Sequence, residues 1–341
     1  MTVKVITDIS ICEQIWQRHH QDVGLFDDWS VRARLAALAD ITPCFLEDQK
    51  TGTVLPLGVR SGELTFFGGD YYCEYNDFIG PVGGEQSLLT HLERDTRPFR
   101  LLSWRADPMQ HLNERQSAWD VPFNQAWTFD PPSSFEIYQA GFSASRQKDN
   151  RYLLRRFVNL ERMNTWHDAD AAWTVIDRYM DYTAEVFRAR ERSCIYDSRP
   201  YREVVQTLIK IAVAKGWLRT IEIVDDRAES VRHQDVALGV LIEVPGSGKA
   251  VYLLNLYRAR PNAASNAVQI GLIQYCIEQG VKLDAMRGAF SLKSRYGLSP
   301  QPCYALVRDP NWTIRPQTDL DEQALLNLYG RDFGSPEGRS G

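Results

Sequence analysis

The chain has 341 residues, of which 44% are hydrophobic and 24% charged, and a formal net charge of -5. One hydrophobic core stops growing near ~250–300 residues, so this length points to about two domains, and so ordinary a composition excludes a disordered or disulfide-stapled chain. The acidic balance excludes indiscriminate binding to nucleic acid or anionic membrane, though not a local basic groove.

The opening "MTVKVITDISICEQ" has no apolar segment of signal-peptide length. No run reaches the ~18 apolar residues that a membrane helix needs, so a cytoplasmic protein without a membrane span is expected. Cys12, Cys44, Cys73, Cys194, Cys276 and Cys303 are scattered singly, with no CxxC pair. They read as reduced, buried thiols rather than a zinc site. His19 and His20 are adjacent, so on a helix they cannot face one metal, and His111, His167 and His233 have no ligand-like companions. No metal is expected.

In chain order, "VKVITD" alternates as a strand, and "ISICEQIWQRHHQD" is an amphipathic helix carrying Ile11, Ile15 and Trp16. "WSVRARLAALA" is a second helix. Residues 42–72 hold three strands, turned at "KTG" and "SGE". "FRLLSWRAD" and "NQAWTFD" add further strands. Pro131 and Pro132 stop the last of these, and Ser133 or Ser134 can cap the helix that starts at Phe135. A basic helix follows, with Arg146, Lys148, Arg151, Arg155, Arg156 and Arg162. Two helices then precede three strands, "LRTIEIVDD", "DVALGVLIEVPG" and "KAVYLLNLYRAR". "NAASNAVQIGLIQYCIEQG" is a helix closed by Gly280, "KLDAMRG" a strand, "SLKSRYG" a short helix and "CYALVRD" a last strand. The expected fold is α/β with mixed sheets. Its divisions are an N-terminal domain at 1–130, a connecting helical segment at 131–165, a catalytic domain at 166–315, and a terminal helix and tail at 316–341.

The strand–strand–strand–helix–strand–helix–strand order over 218–308 resembles an N-acyltransferase of the GNAT type. "FFGGDYYCEYNDFIGP", "SRQKDNRYLLRRFVNLER" and "YRARPNAASNAVQIGLIQYCIEQGVKLDAMRGAFSLKSRYG" together resemble the FemAB-like and BioF2-like families, over roughly residues 26 to 308. That resemblance implies two tandem GNAT-like domains and transfer of an acyl or aminoacyl group to an amine. The donor it implies is an acyl-CoA or an aminoacyl-tRNA cosubstrate, with no bound cofactor. The acceptor would be a small molecule or a cell-envelope precursor.

By the same resemblance, Lys293, Tyr296 and Gly297 match a Lys-x-x-aromatic-Gly pattern after the strand that follows the core helix. A lysine there can stabilise the oxyanion of acyl transfer or hold a phosphate. Asp284 falls where the family often carries an acid and is the first choice for the base, with Glu222 and Glu243 as alternatives. The turn Arg258 to Ala267 corresponds to the pyrophosphate turn of GNAT domains, which makes Arg258, Arg260, Ala264, Ser265 and Asn266 the donor-binding candidates. It departs from the family pattern in lacking glycine. Tyr72 and Asp77 in "DYYCEYNDF" are candidates to grip the acceptor. Arg151 and Arg155 lie one helical turn apart and could bind phosphates of an acceptor, of CoA or of tRNA, or simply form a solvated face. A non-catalytic binding protein with a degenerate turn is the competing class. An open, basic-rimmed cleft between splayed strands favours an enzyme, whereas a cleft plugged by Tyr252 or Tyr257 favours a binding module.

Overall fold

The computed structural model describes residues 3–19, 24–69, 75–105, 120–157, 163–224, 235–258, 261–287 and 291–308. The first half runs β1 (Val3–Ile6), α1 (Ile9–His19), α2 (Trp29–Leu38), β2 (Thr42–Pro43), β3 (Phe45–Asp48), β4 (Val54–Leu55), β5 (Leu57–Arg60), β6 (Glu63–Phe66), α3 (Glu85–Arg94), β7 (Phe99–Trp104) and β8 (Asp120–Phe129). The three strands expected over 42–72 are shorter pieces, because Pro43 and Pro56 interrupt the ladders. Both expected turns are present, with positive φ at Gly52, Ser61 and Gly62. On α1 the buried face is Cys12, Ile15 and Trp16, while Ile11 is exposed.

The connecting segment forms α4 (Phe135–Ala140) and α5 (Ala144–Phe157). Ser134 Oγ accepts from the Ile137 amide at 3.3 Å and so caps α4. The second half runs β9 (Met163–Thr165), α6 (Ala169–Arg188), α7 (Arg199–Ala214), β10 (Leu218–Val224), β11 (Asp235–Val244), β12 (Lys249–Tyr257), α8 (Pro261–Gln279), β13 (Lys282–Arg287), α9 (Ser291–Ser294) and β14 (Ser299–Arg308). These elements follow the order expected over 218–308, in an α/β fold of mixed sheets. Gly239 on β11 lets α8 approach, since a Cβ there would meet Val268 Cγ1 at 2.7 Å and Ile221 Cγ2 at 2.8 Å.

The two halves share an 11-stranded sheet in the order β2-β5-β6-β7-β14-β8-β13-β12-β11-β10-β9. Strand β8, from the first half, lies between β13 and β14. Strand β14, from the end of the second half, lies between β7 and β8. The sheet is thus stitched by an exchange of strands that no local pattern announces. β14 also begins earlier than "CYALVRD", at Ser299, and so takes in Pro300 and Pro302. A proline inside a sheet is tolerated where one side is unpaired. That holds here: β14 pairs with β8 from Ser299 onward, but its pairing with β7 runs only from Tyr304 to Arg308.

β12 and β13 are parallel and pair at Lys249–Lys282, Ala250–Leu283 and Val251–Asp284. Beyond that point β12 stays with β11 as far as Tyr257, and β13 stays with β8 as far as Arg287. The strands therefore part just after Asp284. One apolar core, with Ile176, Leu208 and Leu254, fills the side of the sheet under α6 and α7. Another, with Ile270, Ile273 and Leu283, fills the α8 side.

Helix α2 of the first half packs on α7 of the second, and Val31 and Leu35 enter the α6–α7 core. Asp28 caps α2 by accepting from the Ser30 and Val31 amides, and Lys215 at the end of α7 reaches it at 2.6 Å. Burial pushes the Asp28 carboxyl up, but the Lys215 ammonium and the Ser30 hydroxyl outweigh it and hold the group below the ordinary carboxylate range. A depressed acid stabilises the fold above its unfolded pKa, and that stabilisation is lost as pH falls through the folded value. Asp28→Ala should therefore cost about 1–2 kcal/mol near neutral pH. In urea titrations the gap from wild type should shrink below about pH 4. A gap that does not change with pH would show that the carboxylate charge contributes nothing.

Candidate functional site

Alternation along β13 sends Leu283 and Ala285 into the α8-side core and leaves Asp284 on the opposite face. Met286, at φ 60, turns its amide back onto Asp284 Oδ1 at 2.8 Å. The same oxygen accepts from the Tyr75 hydroxyl at 2.5 Å. Tyr75 belongs to the first half, so this contact joins residues of both units at the point where β12 and β13 part.

Around the contact is a cleft of about 550 Å³, lined by Tyr75, Arg105, Thr128, Lys249, Lys282 and Asp284, with the proline-bearing start of β14 on one side. The Arg105 guanidinium lies over the Tyr75 ring at 4.2 Å. Lys282 meets the exposed Asp130 at 2.9 Å. Among the described residues that line it, the cleft carries one carboxylate, Asp284, beside the cations Arg105, Lys249 and Lys282.

Tyr75 is held in place by Arg32, a guanidinium only 2% exposed on α2. It donates to Tyr75 O at 2.5 Å, Asn76 Oδ1 at 2.5 Å, Phe26 O at 2.5 Å and Phe67 O at 3.2 Å. Every one of these acceptors is neutral. Asn76 then donates through Nδ2 to Leu102 O at 3.1 Å, and its carbonyl accepts from the Arg105 amide at 3.0 Å. The buried cation fixes the loop that presents both Tyr75 and Arg105.

The expected catalytic residues divide across β13. Lys293, on α9, spends its ammonium on Ala285 O at 2.7 Å and Met286 O at 3.2 Å, tying down the strand end next to Asp284. Tyr296 is fully buried on the α8 side and does not line the cleft. Its carbonyl accepts from the Tyr138 hydroxyl at 3.0 Å. Gly297 follows at φ 74 and turns the chain into β14. The alternative bases are both engaged: Glu222 accepts from the Tyr179 hydroxyl at 3.2 Å, and Glu243 from the Tyr275 hydroxyl at 2.6 Å.

Of the donor-binding candidates, Arg258 directly follows β12 and its guanidinium lies over the Tyr182 ring at 4.5 Å. Ser265 Oγ accepts from Asn255 Nδ2 at 2.7 Å, which ties α8 to β12, and Asn266 follows it, half-buried. Ala264 lies in the first turn of α8, behind the opening Pro261. Arg260 and Tyr72 lie outside the described residues. Asp77 borders a small cavity that shares Tyr75 and Arg105 with the large cleft. Arg151 and Arg155 are exposed on α5, Arg155 Nε donating to Arg151 O at 3.2 Å, and they line neither cavity. Tyr75 was visible in sequence only as one member of an aromatic and acidic loop. Arg105, Lys249 and Lys282 had no signal beyond their charge.

No family model and no curated protein matches the chain. Solved structures do share its fold. FemX aligns at a TM-score of 0.55 and 11% identity, over 90% of this chain and 98% of its own. L-PGS from Bacillus licheniformis aligns at 0.52 and 12%, over 96% and 98%. A conserved protein of unknown function from Bacteroides thetaiotaomicron aligns at 0.50 and 9%, over 90% and 100%. The chain is similar to these proteins along almost its whole length, and at such identities the likeness is one of fold.

Removing Arg32 would orphan buried carbonyls, each costing about 1–3 kcal/mol when left unsatisfied. Arg32→Met should lower stability by at least about 3 kcal/mol in urea unfolding, while Arg151→Ala should stay within about 0.5 kcal/mol of wild type. Equal effects of the two variants would contradict the organising role of Arg32.

Proposed function

We propose that the protein transfers an acyl group from a thioester donor, an acyl-CoA, to an amine in the cleft between its two units. The observation that carries this reading is the placement of Asp284. It stands where β12 and β13 part, faces a cleft lined by cations, and is bonded to Tyr75 of the other unit. Tyr252 and Tyr257 do not line that cleft, so it is not plugged in the way a degenerate binding module would be.

In this mechanism the amine nitrogen attacks the thioester carbonyl and Asp284 takes its proton. The cationic groups of the cleft, Arg105, Lys249 and Lys282, stabilise the oxyanion of the tetrahedral intermediate. The intermediate collapses and the carbon–sulfur bond breaks. Tyr75 protonates the departing thiolate and is reprotonated by Asp284 across their hydrogen bond. Lys293 acts by positioning, because it holds the β13 carbonyls that set Asp284. Arg258 and the first turn of α8 receive the donor's phosphates. Asp77, bordering the adjoining small cavity, contacts the acceptor.

A tRNA-borne aminoacyl ester would undergo the same attack with a hydroxyl as leaving group. The exposed Arg151 and Arg155 would then meet tRNA phosphates.

The test combines calorimetry with CoA and a thiol-release assay with acetyl-CoA and a panel of amines. Wild type should bind CoA and release thiol, and Asp284→Asn should lose about 10²–10⁴-fold in turnover. Failure of CoA to bind, with transfer from charged tRNA, would overturn the donor. Unchanged turnover in Asp284→Asn would overturn the site.

A further inference from the structure

Behind β13, on the side away from Asp284, several buried polar groups have no partner. Asn150 on α5 is fully buried, and neither its amide nitrogen nor its oxygen makes a hydrogen bond. The hydroxyls of Tyr252 on β12 and Tyr296 after α9 are also without partners, on side chains 9% and 0% exposed. So are Nε and one terminal nitrogen of Arg146, at the start of α5. Buried polar groups are normally satisfied, and orphans gathered in one place mark something that binds there.

These residues belong together. The Arg146 guanidinium lies over the Tyr296 ring at 4.5 Å, and its charge acts on the Tyr296 phenol. Asn150 is one helical turn further along α5, on the face that also sends Leu153 into the core containing Tyr252 and Tyr296. The charged groups acting on the Tyr138 and Tyr296 phenols are Arg146 and Arg295, both cations. Tyr252 feels only other phenols. Burial raises all three phenols above the ordinary range, so at neutral pH they keep their protons and can donate.

We infer that Arg146, Asn150, Tyr252 and Tyr296 form a binding site for an oxoanion, a phosphate or a carboxylate group, on the opposite face of β13 from Asp284. The donor set is what such an anion requires: a guanidinium for charge, phenols and an amide for direction, with no carboxylate among the charged groups that act on the phenols. It is separate from the cleft, and it stands whether or not acyl transfer takes place there.

The test is thermal unfolding of the full chain against inorganic phosphate and against acetate, with sodium chloride holding ionic strength constant. At least one anion should raise the melting temperature saturably, equally in wild type and in Asp284→Asn. Arg146→Gln should weaken that binding at least tenfold. Tyr296→Phe, which removes only a hydroxyl, should weaken it several-fold and decides the matter if Arg146→Gln does not fold. A response to phosphate alone identifies a phosphoryl group as the ligand, and a response to acetate alone identifies a carboxylate. If neither anion acts beyond chloride, or if both variants respond as wild type does, the inference falls and the polar groups are served by internal water.

Discussion

The exchange of β8 and β14 is the constraint on which the molecule depends. A strand paired on both sides cannot leave without exposing two rows of backbone donors and acceptors. β8 lies between β13 and β14, and β14 between β8 and β7, so neither half can complete its sheet alone. This fixes the rotation and distance between the units. A contact between Tyr75 and Asp284, 209 residues apart in sequence, can then be made at hydrogen-bond precision. The same exchange leaves the proline-bearing start of β14 paired on one side only, and the cleft opens there.

The units are joined by polar and apolar devices in turn. Asp28 and Lys215 close the contact of α2 with α7, and Val31 and Leu35 drive helix α2 into the second unit's core. Arg32, one residue along, turns the other way and gathers carbonyls of the first unit. A single short helix thus docks one unit on the other and sets the loop that completes the cleft. Such a buried cation is stable only while its acceptors are in place, which makes loop and helix one cooperative feature.

Much of the architecture could be read from the chain. Periodicity and the closing glycine at 280 mark α8 and the strands around it, and the order of elements over 218–308 is the one observed. Helix α3 (Glu85–Arg94) was not anticipated from its sequence. Strand partners were also hidden, because an alternating strand encodes a face and not a neighbour. That is why β8 reads as the end of the first half although it pairs with the second. The family resemblance singled out Asp284, and the structure puts it at the point where β12 and β13 part. Arg32 was not singled out, since in "WSVRARLAALA" it looks like any arginine of a surface helix. Lys293, Tyr296 and Gly297 were grouped in sequence as a site, and the structure places them just past the end of β13. There, however, a lysine anchors a strand end, a tyrosine is buried behind the sheet and a glycine makes the turn.

The central claim is that the two units meet in one composite site through Tyr75 and Asp284. The most direct measurement is a double-mutant cycle of Tyr75→Phe and Asp284→Ala by urea denaturation, which needs no knowledge of the substrate. The two changes should be non-additive by about 0.5–3 kcal/mol, the range for groups in direct contact. Effects that add within about 0.3 kcal/mol would mean the residues do not interact, and the composite site would be contradicted.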